Sequence, residues 1–380
     1  MEIFTLDRKF LRQDVIEKFH SAIWTERYYG DSDVELVVPA TSEMIKKLPV
    51  GTFVGLDKSD EIMILETVNI EEGKLKVSGI SILSWLNNRF IRTSSNHEDQ
   101  YWNISGGPPG WVLWAIVYYM CVQGSPYLNG SIPIGVSNPQ QLAIPGLGLT
   151  DYDKSGDNIS VGVPFGPVYD ALREIATTYQ IGMQITLESA TDTSYFLGFR
   201  SYKGLDRTSG QTAYPPVRFS PQMDSLTDIK ELQSIAALKT LVYAFVPNPP
   251  KDDADPPNSL ATVPGVASLT GPQYTGFDLR ALLVFASDIT TDMIGGNPAT
   301  LVSILNERAK DALTNNHFIK TVDGEIVPTN QYKYGVHYNL GDVIEVQGNS
   351  QIVQTSRVTE YIRAQDDAGE RAYPTVAMLG

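Results

Sequence analysis

Asp151, Asp153 and Ser155, followed by Gly156, read D-x-D-x-S-G. Oxygen ligands at positions 1, 3 and 5 with glycine at 6 are the first half of a calcium loop, because a hard cation takes oxygen donors on a tightly turning backbone. Position 12 falls on Gly162, where that loop needs a bidentate glutamate, so the segment also reads as a polar turn before a strand. Asp206-Arg207 offers an adjacent acid and base, expected as a turn salt bridge or an inter-subunit contact. The histidines His20, His97, His317 and His337 lie far apart, and none stands in H-E-x-x-H spacing. His97-Glu98-Asp99 reads as a solvated polar loop. No G-x-S-x-G, phosphate loop or dinucleotide fingerprint is present. Paired carboxylates of a glycosidase are spaced in three dimensions, so one sequence leaves them open. Tyr101, Trp102, Trp111, Trp114, Tyr118 and Tyr119 could stack on sugars, but continuous apolar character favours a buried helix or a subunit interface. No catalytic, cofactor or metal residue is therefore assigned.

The elements that would position these residues are mostly strands. Residues 1 to 93 carry short strands with turn signals between them: Ala22 to Tyr29, Val34 to Pro39, Thr52 to Leu56, Ile62 to Val68 and Lys74 to Gly79. A turn is expected over Lys46 to Gly51, and a short helix over Ser81 to Arg89. Such spacing points to a barrel or sandwich. Residues 94 to 212 are mixed. A helix is expected over Trp111 to Val122, and 128 to 157 reads mostly as loop. A helix over Pro167 to Gln180 places Val168, Leu172, Ile175, Ala176 and Tyr179 on one face, with Gly182 as its stop. Strands follow over 183 to 187 and 195 to 199. From 213 onward come strands at 217 to 219 and 239 to 246, a Pro- and Asp-rich loop from Pro247 to Pro264, and a helix from Asn297 to Asn315 with Leu301, Ile304 or Leu305, Ala309 and Leu313 inward.

The chain closes on His337 to Gly348, HYNLGDVIEVQG: a Gly341-Asp342 turn, then the strand Val343 to Val346 and another through Ile352, Thr355, Arg357, Thr359 and Tyr361. Glycine adopts positive φ without steric cost, and aspartate bonds turn backbone. The first and last segments thus read as small antiparallel barrels around a mixed middle. The expected fold is α+β and β-rich, with four regions: 1–93 as the first barrel, 94–212 as a mixed domain, 213–250 with 316–380 as a discontinuous second barrel, and 251–315 as an inserted loop and helix.

Bulk properties agree. At 380 residues the chain is long enough for several domains. A net charge of −15 without a Lys/Arg cluster argues against binding DNA through its phosphates. The single cysteine, Cys121, excludes an intrachain disulfide and a multi-cysteine metal site. Met1 to Lys9 lacks the apolar stretch of an export signal. The apolar run Trp111 to Val122 spans 12 residues, against about 20 for a membrane helix.

Taken in order, these segments resemble the minor tail proteins, or tail hubs, of long-tailed bacteriophages, whose fold is related to the baseplate hub of contractile-tailed phages. The resemblance rests on the opening strands through the Leu83 to Arg89 helix. It continues through Gly204-Leu205-Asp206-Arg207-Thr208, Phe219-Ser220-Pro221 and the Leu241 to Phe245 strand, and ends with the Asn297 to Asn315 helix and Tyr338-Asn339-Leu340-Gly341-Asp342-Val343. Pro247 to Gly276 and residues 123 to 160 depart from the family pattern. The resemblance implies a structural, non-enzymatic virion protein of the tail tip, assembled in the host cytoplasm without a cofactor. It implies a homotrimer whose two tube-forming barrels per copy meet a six-fold tail tube and whose other face meets a three-fold tip. The implied partners are the tail tube protein, the distal tail protein, the C-terminus of the tape measure protein and tip or fibre proteins, with DNA passing through the lumen. A rival reading is a tail-tip enzyme that degrades cell wall, or a carbohydrate binder.

Overall fold

Alternation of apolar and polar residues at the start of the chain produces strands that bury one face. In β4 (below), Val34, Leu36 and Val38 are buried while Glu35 is exposed, the period-2 pattern of a half-covered sheet. The computed structural model describes residues 1–91, 101–123, 143–191, 194–246, 264–269, 274–287, 289, 298–327 and 331–379. His97, Asn297, most of the Pro247 to Pro264 loop and residues 124–142 of the departure at 123 to 160 lie outside the described residues.

In chain order the first strands are β1 Ile3–Leu6, β2 Arg12–Ile16, β3 Ser21–Arg27, β4 Asp33–Pro39, β5 Phe53–Leu56, β6 Ile62–Glu71 and β7 Lys74–Ser81, with helix α1 Ser42–Lys47 between β4 and β5. A 3-10 helix Ile82–Asn88 follows. The middle contains β8 Phe90–Ile91, β9 Tyr101–Gly107, α2 Pro109–Val117, β10 Leu147–Leu149, β11 Ile159–Pro164, β12 Gly166–Pro167, α3 Val168–Thr178, β13 Gly182–Thr191 and β14 Ser194–Tyr202. Then come β15 Arg218–Phe219, β16 Leu226–Ser234, β17 Leu241–Phe245, β18 Gly265–Ser268, β19 Ala281–Phe285, α4 Pro298–Asn315, β20 Ile319–Ile326, β21 Val343–Gln347, β22 Val353–Asp366 and β23 Gly369–Met378.

The fold is α+β and β-rich. One sheet of 11 strands runs β15-β21-β22-β3-β4-β7-β6-β5-β1-β2, with β23 also paired to β22. The first and last β-segments therefore share a single sheet. Their junction is antiparallel, β22 against β3, with Tyr361 opposite Glu26 and Arg363 opposite Trp24. No strand pairing among the described residues closes this sheet into a barrel. One apolar core lies inside the sheet around Trp24, Val34, Leu36, Val38, Leu65 and Leu75. A second core joins Phe4, Phe10 and Phe53 to α2, α3 and the β13–β14 hairpin. Burial of side chains such as Trp24 contributes about 2–3 kcal/mol each.

The chain divides into two compact units, residues 1–229 with 324–380, and residues 230–323. In the second unit β17 is central in the sheet β18-β17-β19. Val242 and Ala244 of β17 are buried with Leu301, Leu305 and Ala309 of α4, the face expected from their spacing.

Three local expectations are corrected. The Lys46 to Gly51 turn is preceded by a helix, because the Thr41 side chain caps the Met44 amide. The Trp111 to Val122 helix begins earlier, with prolines at its start, and ends in one π-helical turn over Tyr118–Val122. The stop of α3 is Gln180, at φ 55°, and not Gly182, which opens β13.

Candidate functional site

The closing Gly341-Asp342 turn draws three distant stretches together. Gly341 sits at φ +91°, and a Cβ there would lie 2.3 Å from the Tyr28 ring. Asp342, only 1% exposed, follows it. Its Oδ1 accepts the Leu205 amide at 2.7 Å, and its Oδ2 accepts the Asn339 amide at 2.9 Å and Arg207 Nε at 3.3 Å. Arg207 therefore pairs with a residue far along the chain and not with its neighbour. Asp206 instead turns back on its own loop, accepting the Thr208 amide at 2.9 Å.

Tyr28 fills the middle of this junction. Its hydroxyl lies 3.2 Å from the carbonyls of Gln180 and Tyr202, and the Gly204 amide approaches it at 3.4 Å. A Cβ on Gly182 would stand 2.2 Å from the same ring. That close approach is why glycine occupies a position which the sequence suggested as a helix stop. Arg357 lies over the Tyr28 ring and donates to the Gly341 carbonyl at 2.7 Å and to Gln180 Oε1 at 3.0 Å. Burial raises the Tyr28 hydroxyl to about 12.

Beside Tyr28 a polar cavity of about 390 Å³ is walled by β3, β13, β14, β22 and the loop from Tyr334 to Asp342. Glu26 of β3 holds Arg363 of β22 at 2.7 Å. Tyr334 stacks flat on Tyr361, 3.6 Å between centroids, and its hydroxyl reaches Glu26 at 3.5 Å. With its amide turned to satisfy both ends, Gln184 accepts Arg200 Nε at 3.0 Å and donates to the Tyr202 hydroxyl at 3.1 Å. Glu61 is buried here, and burial first, then the charge of Glu26, pushes its carboxyl up to about 8. Burial likewise holds the Tyr202 and Tyr334 hydroxyls well above their ordinary value.

Two buried carboxyls lining one cavity resemble an acid–base pair. In this cavity Glu26 is spent on Arg363 and Tyr334, and Glu61 is enclosed, so the arrangement suits a joint between chain segments better than an attack on a polymer. Sequence reasoning missed Glu26, Tyr28, Glu61, Arg200 and Arg363. A signal existed at one place: Trp24, Glu26 and Tyr28 recur at period 2, which puts a charge on the buried face of β3.

The other sequence candidates are dispersed. Asp153 accepts from the Ser155 amide at 3.1 Å and its hydroxyl at 2.7 Å, and Asp151 pairs with Lys154 at 3.4 Å. Among the described residues no cluster of three or more His, Cys, Asp or Glu side chains could hold a metal. His317 bonds the Thr314 carbonyl and His337 accepts the Lys333 amide, each at 2.8 Å, while His20 is exposed. Trp114 stacks on Tyr118 and donates to the Thr150 carbonyl at 3.2 Å, and Trp102 meets Tyr119 edge-on. Cys121 is buried. No described helix is long and apolar enough to cross a membrane.

A sequence model of one family, the Siphovirus ReqiPepy6 Gp37-like proteins, matches residues 1–249 and 278–376. The chain belongs to that family. The unmatched gap, 250–277, nearly coincides with the Pro247 to Gly276 stretch expected to depart from the tail-protein pattern, whereas 123 to 160 is matched throughout. No curated protein matches the chain. Among solved structures, a 43 kDa tail protein of prophage MuSo2 from Shewanella oneidensis shares 11% identity at a TM-score of 0.51, covering 99% of this chain and 98% of its own. Prophage tail protein gp18 from Listeria monocytogenes EGD-e shares 12% identity at a TM-score of 0.51, covering 100% and 95%. At these identities the likeness is one of fold. The resemblance to phage tail proteins read from the sequence holds: this siphovirus family member has their fold from end to end.

Proposed function

We propose that this family member is a structural component of the phage tail tip: a homotrimeric hub that joins the six-fold tail tube to a three-fold tip and lines the path of DNA. The observation that carries the reading is the single sheet in which β3 of the first segment and β22 of the last are paired, in a chain whose fold follows phage tail proteins over its full length. Two β-rich lobes so joined, β1–β7 and β21–β23, are the two tube-facing elements of each copy. Three copies then offer six near-equivalent elements to a six-fold tube, and the interface closes as a ring. The four regions 1–93, 94–212, 213–250 with 316–380, and 251–315 serve as first tube element, mixed domain, second tube element and insertion. The partners in this reading are the tube, distal tail, tape measure and tip or fibre proteins, and the place is the virion tail tip after assembly in the cytoplasm.

The net charge of −15 supports a conduit, since an acidic lumen repels DNA phosphates. Electron microscopy of intact particles labelled on this chain tests the proposal. Three-fold density directly beneath the tube is expected. Label on the tube wall or the capsid, or peptidoglycan clearance by the purified protein, would overturn it.

A further inference from the structure

Glu61 occupies a singular place in the joint. It lies just before β6, and its backbone bridges Thr186 of β13 while the Leu187 amide donates to the Asp60 carbonyl at 2.8 Å. This pair of contacts ties the first β-segment directly to the middle segment. The side chain is 6% exposed and faces the polar cavity. Among the described residues it takes part in no ion pair: Arg363 is engaged by Glu26, and Arg200 by the Gln184 amide. A buried carboxylate without a paired cation is costly, and the group responds by keeping its proton.

We propose that Glu61 makes the joint between the first β-segment and the middle segment pH-sensitive, closed while the carboxyl holds its proton and loosened when the proton passes to water. The groups facing it act in both directions. From β3 comes Glu26, from β14 Arg200 and Tyr202, and from β22 Arg363. Tyr334 and Asp342 face it from the closing loop, Lys203 follows β14, and Lys58 and Asp60 share its own loop. Burial and Glu26 favour the neutral acid, whereas the Ser32 hydroxyl, Arg200 and Arg363 favour the charged form.

The sign follows from linkage. Freed by opening, the carboxyl titrates near 4.5; enclosed, it titrates near 8. Opening therefore releases a proton between these values. Closure is strongest below the lower one, weakens as pH rises, and levels off above the higher one. The opening constant grows by about tenfold per pH unit inside that window.

Hydrogen exchange on the full chain reads this locally. The peptide containing Leu187 is followed from pH 6 to pH 9, with each rate divided by the intrinsic amide rate at that pH. In the wild type the opening constant should rise about tenfold from pH 6 to pH 7 and flatten above pH 8. In Glu61→Gln, which keeps a neutral polar side chain, it should stay level. A flat wild type, or an equal rise in both proteins, overturns the proposal. A second reading needs no variant: infrared titration of the wild type should show an enclosed neutral-carboxyl C=O band at pH 7 that vanishes with a midpoint near 8. Loss of every such band by pH 6 overturns it as well.

Discussion

A single glycine shows how little room the joint leaves. At Gly341 an alanine would combine a left-handed backbone angle with a Cβ 2.3 Å from the Tyr28 ring. The backbone strain and the overpacking together should cost about 3 kcal/mol. Gly341→Ala is thus expected to lower the urea midpoint markedly, and an unchanged midpoint would show that Tyr28 can step aside freely. Asp31 carries a different tension. Among the described residues its Oδ1 is buried without a hydrogen-bond partner, and burial pushes the carboxyl up to about 6 although Tyr169, Arg173 and Arg27 oppose this. The folded state therefore retains a proton that the unfolded chain releases from about 3.8 upward, so stability from this group falls from there to about 6 and then stays low. Since Asp31 is only partly enclosed, Asp31→Asn should stabilise at pH 7 by about 1 kcal/mol after allowance for solvent screening, and the gain should vanish by pH 4. Thermal melts at the two pH values check both halves of that statement.

At the scale of elements, β3 is the hub of the sheet. It pairs with β4 on one side and β22 on the other, and the chain just beyond it places Tyr28 between Gly182, Gly204 and Gly341. Tyr28→Phe keeps the ring and removes a hydroxyl shared by the backbone of Gln180, Tyr202 and Gly204. A loss of about 1–2 kcal/mol is expected, measured by chemical unfolding; a neutral result would assign the junction to packing alone. The existence of β4, β7, β13, α3 and α4 was legible because each carries a period of 2 or 3.6, whereas β3, β6 and β14 were legible as short apolar or aromatic runs between turn signals. α1 was missed because Thr41 caps a helix of only 6 residues, too short for an apolar stripe. β9, β16 and β20 were missed because each lacks a sustained apolar alternation, and their partners are remote in sequence. The cavity was illegible for a related reason. Glu26, Glu61, Arg200 and Arg363 belong to four separate stretches, and no local spacing relates them. The Gly341-Asp342 turn was legible as a turn, but its three acceptor contacts to Leu205, Arg207 and Asn339 required the fold.

At the scale of the whole molecule, charge governs how copies could meet. Each chain carries −15 at neutral pH, so a trimer carries three times that, −45. Like-charged subunits repel over roughly a Debye length, about 30 Å at 0.01 M salt and about 8 Å at 0.15 M. At low salt the repulsion reaches across a whole subunit, while at physiological salt it is confined to charges near the interface. If the ring is closed mainly by apolar and backbone contacts, raising salt from about 0.01 M to about 0.15 M should increase the trimer fraction. A ring held by ion pairs between complementary patches would show the reverse, because screening weakens attraction as well as repulsion. The ion pairs visible within one chain, such as Glu26–Arg363 and Arg218–Glu345, already join its own segments, which leaves the excess negative charge for the surface. Association is therefore expected to strengthen with salt. Sedimentation equilibrium across that range decides the matter, and dissociation on adding salt would contradict a trimer closed by uncharged contacts.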